Sequence, residues 1–96
     1  MATVIAMHWP EVTGEKYQEV RELVGWERDQ PPGGRLHVAW MADDGFRVVD
    51  VWDTPEQFQN FVETRLGPGT QQIGVQGQPR VTFHELLGAF VPQPLP

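Results

Sequence analysis

Three stretches of this chain carry apolar or aromatic side chains at every other position on both sides. Val4, Ala6 and His8 alternate with Ile5, Met7 and Trp9; Leu36, Val38 and Trp40 alternate with His37, Ala39 and Met41; Val49 and Val51 alternate with Val48, Asp50 and Trp52. Successive strand residues point to opposite faces, so each stretch predicts a strand that is apolar on two sides. Only two helices are available to cover such a sheet. They can shield one face and leave the other as an apolar surface, which predicts that a second copy of the chain covers it.

The remaining elements follow from their boundary signals. The first strand, residues 3 to 9, stops at Pro10. Thr13 is a helix N-cap with Val12 and Tyr17 as a hydrophobic staple; Tyr17, Val20, Leu23 and Val24 recur at helical spacing, and Gly25 ends the helix. Residues 26 to 34, Trp-Glu-Arg-Asp-Gln-Pro-Pro-Gly-Gly, read as a loop. Strands over about 35 to 42 and 45 to 52 are joined through Asp43, Asp44 and Gly45, a hairpin signal. Thr54-Pro55-Glu56-Gln57 opens the second helix with an N-cap, a proline at the first helical position and a capping-box Gln. Phe58, Phe61, Val62 and Leu66 form its stripe. Gly67, Pro68 and Gly69 are expected to interrupt it, leaving at most a short helix over Thr70 to Ile73. A last strand runs from about Arg80 to Leu87. The expected organisation is one domain over residues 1–91 and a proline-rich tail, 92–96, that is extended and free to lie across a neighbour.

The order β-α-β-β-α-β belongs to the α+β class and to the ferredoxin-like split βαβ, a four-stranded antiparallel sheet with two helices on one face. Ninety-six residues make a domain small enough for dimerisation to add useful burial. The net charge of -6, with seven scattered Lys and Arg, argues against nucleic acid and anionic membranes as partners. The absence of Cys removes disulfides, thiolate catalysis and Cys-ligated metals, and fits a cytoplasmic location. Met1 to Pro10 reads as neither a secretory signal nor a membrane span.

The element order, the chain length and the run Val-Val-Asp-Val-Trp-Asp-Thr-Pro-Glu-Gln-Phe-Gln-Asn-Phe at residues 48 to 61 resemble the dimeric α/β-barrel superfamily. Within it the chain is similar to small actinobacterial-type proteins of unassigned activity related to the antibiotic biosynthesis monooxygenase family. The resemblance implies a homodimer in which two sheets pack face to face. It also implies a cavity, either between sheet and helices or between the sheets. Relatives oxidise aromatic polyketide-type substrates without metal or flavin. The second-helix position where many of them carry His is occupied here by Phe61.

Strand parity supplies the candidate site. If Ile5, Met7, Leu36, Val38, Val49, Val51 and Phe83 face the helices, then His8, His37, Asp50, Trp52 and His84 share the other face and converge at one end of the sheet. The bland reading of such residues is packing: a strand His hydrogen-bonded to a neighbour and a Trp at an interface. Asp50 within Val-Val-Asp-Val is harder to assign to packing, since a buried carboxylate needs a partner; His and Arg35 are candidates, and Arg47 points the other way.

Three functional readings follow. In a cofactor-free monooxygenase-like enzyme, His37 or His84 is the base, Asp50 its orienter, and His8 and Trp52 contact a small aromatic molecule. Trp9 and Trp40 contribute to that site if the cavity lies on the helix side. Haem binding is disfavoured because residues 54 to 74 contain no His. The third class is a non-catalytic ligand-binding or interaction protein, with a metal site from His8, His37, His84 and Asp50 as a variant. Trp26, in the loop after the first helix, reads as a core anchor or as a cover for the cavity. No cofactor is assigned.

Overall fold

The structure is a computed structural model that describes residues 2–95; Met1, and with Pro96 the last residue of the proline-rich tail, lie outside it. Strands β1 (Thr3–Trp9), β2 (Gly34–Ala42), β3 (Gly45–Trp52) and β4 (Arg80–Glu85) form one antiparallel sheet in the order β2-β3-β1-β4. Helix α1 (Gly14–Val24) joins the first two strands. The second helical region joins the last two, and the β-α-β-β-α-β order is as expected.

Local chemistry sets the boundaries. Thr13 caps α1, its hydroxyl accepting from the Lys16 backbone N–H at 3.1 Å, and Thr54 does the same for Gln57 at 3.2 Å. Asp43 and Asp44 turn the hairpin, whose pairing resumes at Ala42 and Gly45. Gly45 has φ 122°, and a Cβ there would lie 2.6 Å from the Pro10 backbone, so glycine is required twice over.

The second helical region departs from expectation. Gly67-Pro68-Gly69 does not break it: α2 (Pro55–Phe61) passes through a π-helical turn (Val62–Leu66) directly into α3 (Gly67–Ile73). The wider turn routes the Gly67 N–H to the Val62 carbonyl and sets Pro68 in the first turn of α3, where its missing N–H costs little. Gly69 is buried where α3 crosses α1; a Cβ there would come within 2.6 Å of a Val24 methyl.

The helices cover the face carrying Ile5, Met7, Trp9, Phe46, Val48 and Trp52, which pack with Val12, Phe58 and Phe61 as the core. Register corrects the expected parity of the middle strands. Ile5 pairs with Asp50 and Met7 with Val48, so the even residues of β3 share the helix side with the odd residues of β1. His37 pairs with Asp50 and Ala39 with Val48, which brings the odd residues of β2 to the same side. Leu36, Val38, Val49 and Val51 therefore lie on the open face, while Ile5, Met7 and Phe83 sit on the helix side as anticipated. The expected parity placed Asp50 away from the helices, and one residue of phase reverses every side chain of a strand.

The open face carries a row of Leu36, Val38 and Trp40, 38–44% exposed in the single chain. Beyond β4, Leu87, Phe90, Val91 and Leu95 are also exposed, on an extension without regular structure. Among the described residues no helix is long and apolar enough to cross a membrane.

Candidate functional site

Cross-strand pairing sets Asp50 of β3 beside His37 of β2, and α1 brings Tyr17 over both. Asp50 is buried at 7% exposure, yet both of its oxygens are used. Oδ1 lies 2.7 Å from His37 Nδ1, and Oδ2 accepts from the Trp52 indole N–H at 3.1 Å. On the far side of the imidazole, His37 Nε2 is 2.8 Å from the Tyr17 hydroxyl. An indole N–H only donates, and a carboxylate that accepts at both oxygens draws the imidazole proton to Nδ1; Nε2 is then the acceptor for the Tyr17 hydroxyl. The result is a continuous chain, Trp52–Asp50–His37–Tyr17.

Aromatic packing holds this chain in place. The Trp26 ring meets His37 edge-on at 5.2 Å, and Tyr17 lies 5.0 Å from Phe46 and 6.0 Å from Trp26. Burial pushes the Tyr17 phenol above the ordinary tyrosine range, partly opposed by Arg21, so the group keeps its proton at neutral pH. Arg21 is itself engaged with Glu27, and that hydrogen bond holds the Glu27 carboxyl below the usual carboxylate range.

The chain opens on a cavity of about 310 Å³ between sheet and helices. Its apolar wall includes Met7, Trp9, Phe46, Phe58, Phe61 and Leu66, and Trp26, Glu27 and Arg35 stand on the loop side. A second groove, about 670 Å³, runs beneath β4; its lining includes Glu63 but no histidine and no part of the hydrogen-bonded chain. The chemistry is therefore concentrated in the first cavity.

The residues expected to converge separate into two groups. His37, Asp50 and Trp52 come together, on the helix side rather than the open side. His84 stays on the open face, opposite Val4 and bonded to Thr82 at 2.9 Å. His8 is on the open face near the other end, opposite Arg47 and Arg80, with Nε2 2.8 Å from the Asp44 carbonyl. An antiparallel sheet explains the separation: the start of β1, not its end, lies beside the end of β3. Trp40 belongs to the open face and does not reach the cavity, whereas Trp9 lines it. The four-residue metal reading loses its geometry, since among the described residues no three His, Asp or Glu side chains gather in a metal-holding arrangement.

Asp50 is satisfied by His37 and Trp52, and not by Arg35, which pairs with Asp53 at 2.8 Å. Trp26 lines the cavity as well as packing on the core. Tyr17 was legible only as a helix staple. The signal that marks it is its hydroxyl, the only one on the apolar stripe of α1, which needs a partner once half-buried.

This architecture has close counterparts among solved structures. A dimeric ferredoxin-like protein of unknown function from Thermobifida fusca superimposes with a TM-score of 0.65 at 12% identity, over 90% of this chain and 92% of that one. The fold is ferredoxin-like. SnoaB, a cofactor-independent oxygenase from Streptomyces nogalater, aligns with a TM-score of 0.63 at 11% identity, over 96% and 97%. A protein described as an antibiotic biosynthesis monooxygenase aligns at 0.61 with 18% identity, over 92% and 100%. At these identities the likeness is one of fold. No family model and no curated protein matches the sequence.

Proposed function

We propose that this protein is a homodimeric, cofactor-independent monooxygenase-like enzyme that takes a small hydroxylated aromatic molecule into the cavity between sheet and helices. The observation that carries the reading is the hydrogen-bonded pair His37–Asp50, 2.7 Å apart, opening on an apolar-walled cavity of about 310 Å³. That volume is at the lower end of the range for small-molecule sites. Aromatic walls suit a planar ligand, and a base held by a buried carboxylate suits removal of a ring-hydroxyl proton. The anion so formed is electron-rich and is the form that reacts with dioxygen. One oxygen atom then enters the substrate and the other leaves as water, the substrate supplying all the electrons.

His37 is the base, Asp50 orients it, and Trp52 holds Asp50. Neither His8, His84 nor Trp40 is needed, since all three are on the other face. That face, with Leu36, Val38 and Trp40, supports pairing with a second copy, and one structural relative is itself described as dimeric.

Oxygen uptake with anthrone-like or hydroquinone-type substrates tests the proposal. Turnover is expected in the wild type and should fall by about two orders of magnitude or more in His37→Ala, the range for loss of a general base. Binding of such compounds without any oxygen uptake would instead leave a non-catalytic ligand-binding protein.

A further inference from the structure

The Trp52–Asp50–His37–Tyr17 chain leaves His37 no free nitrogen. The Asp50 oxygens are taken by His37 and Trp52, and the two imidazole nitrogens by Asp50 and Tyr17. A phenol that donates its hydrogen still has acceptor capacity on its oxygen. Tyr17 and His37 both line the cavity, and because His37 Nε2 is occupied by the Tyr17 hydroxyl, a ligand hydroxyl reaches that nitrogen through the Tyr17 oxygen.

We infer that Tyr17 is the residue that contacts the ligand's acidic hydroxyl and relays its proton to His37. This inference rests on the function proposed above and specifies how its base is reached. In the step, the ligand O–H breaks and a new O–H forms on the Tyr17 oxygen. Tyr17's own O–H breaks at the same time and an N–H forms on His37 Nε2. The electron pair stays on the ligand oxygen, Tyr17 ends neutral as it began, and the positive charge rests on the imidazole beside Asp50. Nothing is oxidised or reduced.

The surroundings also define which ligands fit. Arg35, the arginine that lines the cavity, is already paired with Asp53 through two hydrogen bonds, and Arg21, outside the lining, holds Glu27. Asp50 and Glu27 both line the cavity. A ligand arriving as a carboxylate meets these acidic groups without an unpaired cation, whereas a neutral phenol or enol enters uncharged and ionises only after it is bound. The site therefore selects neutral hydroxyl compounds over aromatic acids.

The test uses para-nitrophenol, whose anion is coloured, with para-nitroanisole as the analogue that has no acidic hydrogen and para-nitrobenzoate as the acid. In wild type the bound phenol is expected to ionise about one pH unit below the free compound, the shift a neighbouring cation produces. Tyr17→Phe should still bind para-nitroanisole as wild type does, showing an intact cavity, while the ionisation shift of the phenol disappears. His37→Gln should lose the shift as well, and para-nitrobenzoate should bind at least tenfold more weakly than the phenol. A Tyr17→Phe protein that keeps the shift while His37→Gln loses it would overturn the relay and leave His37 as the direct base. Wild type that binds the phenol without a shift would also overturn it. Wild type that binds neither para-nitrophenol nor para-nitroanisole would remove the cavity reading and the relay together.

Discussion

Asp50→Ala is expected to destabilise the fold by about 2–3 kcal/mol and to abolish turnover. The substitution leaves the indole N–H of Trp52, a residue only 3% exposed, without its acceptor, and an orphaned buried donor costs about 1–3 kcal/mol. It also enlarges a cavity that is already about 310 Å³. His37 loses less, because its side chain is 32% exposed and water can replace the carboxylate. For a domain of this length the loss corresponds to a fall in Tm of roughly 10 °C or more, read by thermal denaturation.

Asp50→Asn separates function from stability. Its amide oxygen can still accept from Trp52, but its NH₂ then faces His37 Nδ1. The imidazole proton is driven to Nε2, which can no longer accept from Tyr17. Stability should change by less than about 1 kcal/mol, while turnover falls by two to four orders of magnitude, as expected when a base is held in the wrong tautomer. Near-wild-type oxygen uptake by Asp50→Asn would refute the roles given to Asp50 and His37.

Val38→Asp is expected to convert the protein from dimer to monomer without unfolding it. Val38 is 39% exposed on the open face of edge strand β2, and its cross-strand partner is Val49 of β3. In the single chain the new carboxylate remains in contact with solvent. Between two copies it is desolvated without a partner, at a cost of several kcal/mol per copy, and the twofold relation applies that cost twice. Light scattering coupled to size exclusion should give twice the chain mass for wild type and one chain mass for Val38→Asp, with unchanged circular dichroism. A wild-type monomer would contradict the reading of the open face.

The substitutions at Asp50 and at Val38 probe opposite sides of the sheet, and those sides were unequally legible. Helix starts at Thr13 and Thr54-Pro55 and the turn at Asp43-Asp44 are written in local backbone chemistry, which a sequence displays directly. Strand phase is not local. Val48, Asp50 and Trp52 alternate with Val49 and Val51, and either set makes an acceptable core-facing row. The expected parity took the wrong one; Asp50 is made tolerable in the interior by His37 and Trp52, and those bonds exist only once β2 and β3 are in register. The π-helical turn escaped for a related reason. Gly67-Pro68-Gly69 has the composition of a helix break, and only the crossing of α3 over α1, with Gly69 against Val24, shows why the helix continues there.

The four tryptophans provide the most direct test of where ligand binds, since each indole N–H gives its own signal in a nitrogen–proton correlation spectrum. Trp9, Trp26 and Trp52 line the cavity, whereas Trp40 is on the opposite face. Titration of labelled protein with a naphthol should shift the Trp26 and Trp52 signals, the latter through its bond to Asp50, and leave Trp40 in place. Movement of the Trp40 signal with Trp26 and Trp52 unchanged would put the ligand on the open face of the sheet and contradict the account.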